Sequence, residues 1–164
     1  MSKFVAGIVA AKDKATVVYA EVPDDFDTPI TILLDDKWEV QTGDRAHALR
    51  NLHKRVQGFF QEKPIDLIVI KGSAVAQGKS ATLALLEGAE TRGAVIAAAG
   101  SSAAEVRFET KAVLSRTYKH PKYPKRDVDA IVADDAYWDA EVDGEPLRKM
   151  SREAALLILA TRTH

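Results

Sequence analysis

A continuous apolar run bounded by charges places the strongest constraint on the fold of this chain. Residues 67–70 are Leu, Ile, Val and Ile, and they lie between Asp66 and Lys71. Consecutive large aliphatic residues make both faces of a strand apolar. This is typical of a strand at the centre of a sheet, which is buried on both faces. The run therefore predicts a central strand covered by helices.

Three further strands are predicted before this run. They extend from Phe4 to Ala11, from Ala15 to Val22, and through Ile30, Ile32, Leu33 and Leu34. The segments between them, 12–14 and 23–29, are short and rich in turn-forming residues. Short connections join neighbouring strands in opposite directions, so we expect an antiparallel meander.

Helices are predicted on both sides of the central strand. One apolar stripe with spacings of three and four is formed by Leu49, Leu52, Val56, Phe59 and Phe60. Thr42 or Asp44 can cap the start of this helix. A second helix is expected from about Ser80 to Ala98, and a short one from Lys111 to Tyr118. The last helix is expected to begin near Pro146, with Met150, Ala154, Leu157 and Ile158 on its apolar face.

A fifth strand, Glu105 to Glu109, completes the order β-β-β-α-β-α-β-α with a closing helix. This order predicts an α/β fold with a mixed five-stranded sheet, three antiparallel strands followed by α/β units, flanked by helices. We expect one domain over residues 1–164, because a chain of 164 residues is long enough for one compact core.

Composition excludes several classes of protein. The chain has no cysteine, which excludes a disulfide scaffold, a thiolate zinc site and a cysteine nucleophile. No apolar run approaches the ~18 residues that a membrane-spanning helix requires. The apolar stretch near the N-terminus is interrupted by charges and predicts a strand, not a signal peptide. We therefore expect a soluble cytoplasmic protein with no membrane contact.

Charge is distributed unevenly along the chain. Residues 1–41 hold four Lys or Arg and eight Asp or Glu, residues 42–126 hold fifteen and seven, and residues 127–164 hold four and nine. Local fields act on a partner over roughly 8–10 Å, so the formal net charge of −1 hides a basic middle and acidic ends.

The element order resembles the ribonuclease H-like fold, and within it the RuvC-like Holliday junction resolvases and an uncharacterised bacterial family related to them. The resemblance also rests on the strand-loop-helix sequence IVIKGSAVAQGKSATLALLEGAETRG and on a final helix with the sequence SREAALLILA. It covers nearly the whole chain and implies a nucleic-acid-binding protein that forms homodimers. No invariant signature of the family is matched.

The resemblance implies a nuclease site with two divalent ions held by carboxylates from the first strand, the end of the fourth strand and the final helix. In this chain the first of these positions falls at or near Val9, and the second is Lys71. Only Glu153, on the final helix, is a carboxylate. A lysine would repel a divalent ion, so the alignment predicts that the two-metal site is lost and that no cofactor is bound.

The alternative is a nuclease with displaced carboxylates that uses Mg²⁺ or Mn²⁺. Its candidate catalytic residues are Glu153, Asp13 and Asp129. Other aspartates lie at 35, 36, 127, 134 and 135. No spacing among them matches a known metal loop, and a solvated acidic face is the ordinary interpretation.

Lys71 has two interpretations. The end of a central strand is where α/β sheets bind ligands, so its ammonium could bind a phosphate. It could equally extend along the sheet to solvent. Nearby, Gly78-Lys79-Ser80 differs from a P-loop, because five residues instead of four separate Gly72 from Gly78. A looser role remains, in which Ser80 caps the second helix and Lys79 holds one phosphate beside it.

The run from Arg107 to Arg126 carries the strongest functional signal. Its cations could neutralise phosphates, while interleaved tyrosines stack on exposed bases. The candidate nucleic-acid contacts are Lys71, Lys79, Lys111, Arg116, Tyr118, Lys119, Lys122, Tyr123 and Arg126. Alternatively, this basic run pairs with the acidic segment 127–145 that follows it.

Three hypotheses for function follow. The first is a RuvC-like protein that binds DNA or RNA without catalysis, and the second is the metal-dependent, structure-specific endonuclease described above. The third is a protein-interaction scaffold, with Tyr137 and Trp138 of the acidic segment at the interface.

Overall fold

The computed structural model describes residues 1–73, 80–118 and 127–162. The strands are β1 (Ser2–Ala10), β2 (Lys14–Pro23), β3 (Ile30–Glu39), β4 (Leu67–Lys71), β5 (Glu105–Glu109) and β6 (Val142–Gly144). The helices are α1 (Arg45–Glu62), α2 (Leu83–Ala99), α3 (Lys111–Thr117), α4 (Val128–Ala133), α5 (Asp135–Glu141) and α6 (Arg152–Leu159). Single 3-10 turns cover Lys149–Ser151 and Ala160–Arg162.

The strands form one mixed sheet in the order β5-β4-β1-β2-β3-β6. The β1-β2 and β2-β3 pairs are antiparallel, whereas β1-β4, β4-β5 and β3-β6 are parallel. The predicted fold class is therefore confirmed, with six strands among the described residues instead of five. The additional strand β6 pairs Val142 with Ile30. It has only three residues, too few to produce a detectable alternation of apolar and polar side chains.

The predicted central strand is β4, which lies between β1 and β5. Val69 and Leu67 face a core formed with α3 to α6, and Ile68 and Ile70 face a second core formed with α1 and α2. Ile68 and Ile70 are fully buried. Burial on both faces explains why the strand has no polar alternation.

Two helix starts are fixed by side-chain caps. Asp44, one of the two predicted caps, accepts a hydrogen bond from the backbone N–H of His47 at 3.0 Å and begins α1. Helix α2 begins at Leu83, because Thr82 accepts a bond from the N–H of Leu85 at 3.2 Å. The prediction that Ser80 caps this helix is therefore wrong. Asp and Ser or Thr are all good caps, and sequence alone does not distinguish neighbouring candidates.

The final helix also begins later than predicted. A buried carboxylate, Asp35 of β3, accepts bonds from the backbone N–H of Arg148 at 2.7 Å and from the Ser151 hydroxyl at 2.6 Å. These bonds hold the chain before Arg152 out of the α-helical conformation. Met150 consequently lies in the 3-10 turn and is 60% exposed, so its predicted place on the apolar face is wrong.

Helix α6 lies against β1 at very close range. A Cβ atom built on Gly7 would clash with the backbone carbonyl oxygen of Ala154. Only glycine permits this approach, which sets the first turn of α6 directly over the sheet. None of the helices within residues 1–73, 80–118 and 127–162 is long and apolar enough to cross a bilayer.

Candidate functional site at the carboxyl end of the parallel strands

Strands β1, β4 and β5 run parallel, so their carboxyl ends meet on one side of the sheet. Ile8 of β1 pairs with Ile70 of β4, which brings the next residues, Val9 and Lys71, to the same level. Lys71 in turn pairs with Glu109 of β5. Ligands of open α/β sheets bind at this end of the strands, which makes it the first place to search for a site.

Lys71 forms an ion pair with Glu153 in the first turn of α6. The ammonium Nζ lies 2.6 Å from Oε1, and about a quarter of each side chain is exposed, 28% and 26%. The close approach of α6 at Gly7 holds Glu153 above the end of β4. The ammonium is therefore neither free in solvent nor buried without a partner.

A second ion pair lies beside the first. Lys111 at the start of α3 contacts both carboxylate oxygens of Asp129 in α4, at 2.6 and 2.7 Å. This hydrogen bond raises the pKa of Lys111; partial loss of solvent opposes the rise, and the charges of Asp129, Glu153 and Asp127 add to it. The two ion pairs therefore form one electrostatic cluster. The predicted contact between the basic run and the acidic segment exists at this point.

Both lysines line a cavity of about 580 Å³, which we call the Lys71 cavity. Its walls include Lys71, Gly72, Ser73, Leu85, Lys111, Ala112 and Ser115. Arg92 of α2 donates a hydrogen bond to the hydroxyl of Ser73 and adds a third cation near the cavity. Arg92 is not among the predicted contacts, because the sequence around it carries no motif. Only the three-dimensional packing of α2 brings it to the cavity.

The residues described do not fit a two-metal site. Within residues 1–73, 80–118 and 127–162, no group of three or more His, Cys, Asp or Glu is arranged to hold a metal ion. Val9 contributes no ligand atom, and Lys71 brings a positive charge to the place where the resemblance implies a carboxylate. Two of the remaining candidates, Glu153 and Asp129, are each bound to a lysine. The donor set is that of an ion-pair cluster.

Asp13 does not join this cluster. It follows β1 in an exposed turn and lines a separate cavity of about 320 Å³ with Lys12, Arg45 and Glu87. The threonine hydroxyl of Thr91 in α2 donates to the carbonyl of Lys12, which holds the turn on the α2 side of the sheet. Glu153 lies on the α6 side, so the structure does not bring the three carboxylates of the alternative site together.

The predicted nucleic-acid contacts divide into three groups. Lys71 and Lys111 lie together at the cavity, and Arg116 is exposed one turn farther along α3, where its Nε donates to the carbonyl of Ala112 at 3.2 Å. Tyr118 is only 5% exposed, so its prediction as a stacking residue is wrong. The remaining predicted contacts lie outside the described residues: Lys79, Lys119, Lys122, Tyr123 and Arg126.

The aromatic residues of the acidic segment belong to the core. Tyr137 is fully buried and Trp138 is 2% exposed. The indole N–H of Trp138 donates to the carbonyl of Ile131 at 2.9 Å, and the Tyr137 hydroxyl bonds the Tyr118 hydroxyl. Their prediction as an exposed protein interface is wrong. Both rings lie in the core, because α4 and α5 pack over the sheet beside α6.

Comparison with solved structures identifies the fold. The chain is similar to RuvC of Thermus thermophilus in complex with a Holliday junction substrate, with a TM-score of 0.69, 13% identity, and coverage of 96% of this chain and 91% of that one. RuvC of Thermus thermophilus in a second structure matches with the same score and identity over 96% and 92% of the two chains. The yeast mitochondrial Holliday junction resolvase matches with a TM-score of 0.62 and 12% identity over 97% and 77%.

Sequence comparison adds nothing to this result: no protein-family model and no curated protein matches the chain. The structural matches confirm the expected RuvC-like, ribonuclease H-like fold over nearly the whole chain.

Proposed function

We propose that the protein binds DNA or RNA as a RuvC-like protein whose two-metal nuclease site has been replaced by an ion-pair cluster. The observation that carries the proposal is the Lys71–Glu153 pair, with 2.6 Å between Nζ and Oε1, at the carboxyl end of the central strand. A fixed cation at this point attracts phosphate and opposes the binding of divalent ions.

The geometry of the cluster suits phosphate contacts. An ammonium has three N–H donors, so Lys71 can keep Glu153 and still donate to a phosphate oxygen in the cavity. Partly exposed ion pairs contribute only about 0–1 kcal/mol, so phosphate can displace a carboxylate at small cost. Arg92, Lys111 and Arg116 lie at or beside the same cavity and extend the row of cations along α2 and α3.

The fold supports nucleic acid as the ligand class. One of the structures that this chain resembles is RuvC bound to a Holliday junction substrate. We infer that this chain approaches nucleic acid with the side of the sheet where the carboxyl ends of β1, β4 and β5 meet, because that side carries the Lys71 cavity. The proposal does not depend on catalysis and does not distinguish DNA from RNA.

Fluorescence anisotropy with labelled single strands, duplexes and four-way junctions tests the proposal. In EDTA, we expect binding that weakens steeply between about 50 and 200 mM salt, because counterions are released from neutralised phosphates. Lys71→Ala and Lys111→Ala should each lower the slope of log affinity against log salt by about one unit. Lys54→Ala, at an exposed position on α1, is the matched control. No binding to any of these nucleic acids would end the proposal.

One observation favours the metal-dependent endonuclease as a second candidate. The charges of Asp127, Asp129 and Glu153 all act on the ammonium of Lys111. If Lys111 swung away, these carboxylates would face the space it leaves. Cleavage of branched DNA or an RNA–DNA hybrid that needs Mg²⁺ or Mn²⁺ and disappears in Asp129→Asn would favour this candidate over the first.

We also propose that the protein forms a homodimer through α2. Leu83 and Leu86 are 72% and 54% exposed on this helix, and a second copy of the chain would cover this apolar surface. Light scattering after size exclusion should give twice the chain mass, and Leu86→Glu should give a monomer. A monomeric wild-type protein would contradict this part of the proposal alone.

A further inference from the structure

We propose that the Lys71 cavity receives one unpaired nucleotide of the bound strand. Its phosphate would lie against Lys71 and Lys111, and its base against Leu85 and Ala112. This inference rests on the proposed nucleic-acid binding and adds to it the kind of strand that is recognised.

The Lys71 cavity is large enough for a nucleotide. The cavity measures about 580 Å³, which lies within the range of roughly 300–1,000 Å³ that small-molecule ligands occupy. A single phosphate group contacting two lysines would fill only a small part of this space. The cavity therefore has room for a larger group attached to the phosphate.

The walls of the Lys71 cavity combine charged, polar and apolar groups. The two ammonium groups belong to Lys71 and Lys111, whereas Leu85 and Ala112 supply apolar surface. Ser73 and Ser115 add hydroxyl groups to the walls as hydrogen-bonding groups. A nucleotide has the same division, with an anionic phosphate, a polar sugar and a base whose faces are apolar. Small-molecule sites in proteins likewise combine apolar walls with a few polar groups that fix the orientation of the ligand.

A base can enter the Lys71 cavity only if it is free of its partner strand. In a duplex the bases are stacked and paired, and taking one out costs a few kcal/mol, least where the base is already unpaired. A cavity that accepts a base therefore distinguishes nucleic acids by structure. We expect preference for single strands and bulged duplexes over an uninterrupted duplex.

The test compares strands that differ in one nucleotide. A duplex with a single bulged base and the same duplex without the bulge are titrated in EDTA, together with a variant that fills the cavity. Ala112→Phe places a ring in the cavity from an exposed position on α3. Ala140→Phe, at an exposed position on α5, is the matched control. Ser115→Phe fills the same space from another residue if Ala112→Phe does not fold.

We expect the wild type and Ala140→Phe to bind the bulged duplex about tenfold more tightly than the perfect duplex, because a bulged base avoids much of the cost of leaving a base pair. The cavity-filling variants should lose this preference and keep the affinity for the perfect duplex. A fluorescent base analogue at the bulge should change its emission on binding the wild type only.

The outcomes separate this inference from the proposed function. Equal binding of the two duplexes, unchanged by Ala112→Phe, would overturn the nucleotide pocket and leave nucleic-acid binding intact. Absence of binding to every strand would overturn both. Tight binding of a free nucleoside monophosphate that long strands cannot displace would mean that the cavity serves a small molecule, and would also overturn the inference.

Discussion

Lys71 at the end of β4 forms an ion pair with Glu153 in the first turn of α6, with 2.6 Å between Nζ and Oε1. The approach of α6 to Gly7 sets this distance, because it brings the first turn of the helix directly over β1. The same glutamate also acts on Lys111, whose own partner is Asp129. Two carboxylates therefore hold two lysines at one cavity, and any anionic ligand must compete with them.

Removing the competing carboxylates should strengthen nucleic-acid binding. Each of Glu153→Gln and Asp129→Asn frees a lysine from its partner and removes one negative charge near the cavity. We expect a gain of about 1 kcal/mol, or roughly fivefold in affinity, for each change. Anisotropy titrations at one fixed salt concentration measure this effect.

Glu62→Gln removes a charge at the far end of α1 and should leave the affinity unchanged. Weaker binding by Glu153→Gln would mean that the glutamate positions Lys71 for the ligand more than it competes with it. The proposed competition between Glu153 and the ligand for Lys71 would then be wrong.

Restoring carboxylates at the positions implied by the resemblance should create a metal site. A Val9→Asp and Lys71→Glu double variant would place two new carboxylates at the same level of β1 and β4, near Glu153. Without metal, repulsion among three carboxylates should lower its thermal stability below that of the wild type. Mn²⁺ should raise the melting temperature of the variant, because it binds only the folded state.

The wild-type protein is the control in the same titration, and we expect no Mn²⁺-dependent shift in its melting temperature. A shift of equal size in the wild type would mean that its own carboxylates hold the ion, and would favour the endonuclease.

The strand β4 and the helix α1 could be predicted because burial alone decides them. Residues 67–70 face two cores and are apolar throughout, while Leu52, Val56 and Phe60 face one core at helical spacing. The position of Lys71 at the end of a buried strand could be predicted for the same reason. Its partner could not, since Glu153 lies 82 residues later and reaches Lys71 only through the packing of α6.

The wrong predictions for Tyr118, Tyr137 and Trp138 have a common physical origin in the packing of the acidic segment. Its charges predict a solvated face, but Tyr137 and Trp138 contribute enough buried area to fold the segment inward as α4 and α5. Tyr118 is buried with them, which removes it from the basic run as a stacking residue. Arg92 carries no motif and was missed, because only tertiary packing brings it to Ser73.

Gly7→Ala should destabilise the protein and disturb the candidate site together. A Cβ at this position clashes with backbone, the carbonyl of Ala154, which cannot move without shifting α6. We expect a loss of about 1–3 kcal/mol in the free energy of unfolding, measured by urea denaturation. Gly58→Ala is the control: no atom lies within 4 Å of the new Cβ, and removing a helical glycine should stabilise α1 by about 0.5–1 kcal/mol. Equal effects at both positions would contradict the close packing of α6 on β1.

The buried hydroxyl pair of Tyr118 and Tyr137 should make the fold sensitive to alkali. Burial raises the pKa of Tyr118 to about 12, although its bond to Tyr137 opposes the rise, and burial also raises the pKa of Tyr137. Because the folded state favours the neutral phenols, their contribution to stability is complete below the ordinary pKa of 10.0. It falls as the pH rises through 10 toward 12. Phenolate absorbance and circular dichroism, followed together against pH, should therefore show these two tyrosines ionising only as the protein unfolds.

Removal of both hydroxyls from this pair should cost less than the sum of the two separate removals. Tyr137→Phe leaves the Tyr118 hydroxyl buried without the bond that it makes to Tyr137. We expect a loss of about 1–3 kcal/mol in the free energy of unfolding. The Tyr118→Phe and Tyr137→Phe double variant removes both polar groups, so its loss should be smaller than the sum of the two single losses. Strictly additive losses in urea denaturation would show that the two hydroxyls do not interact.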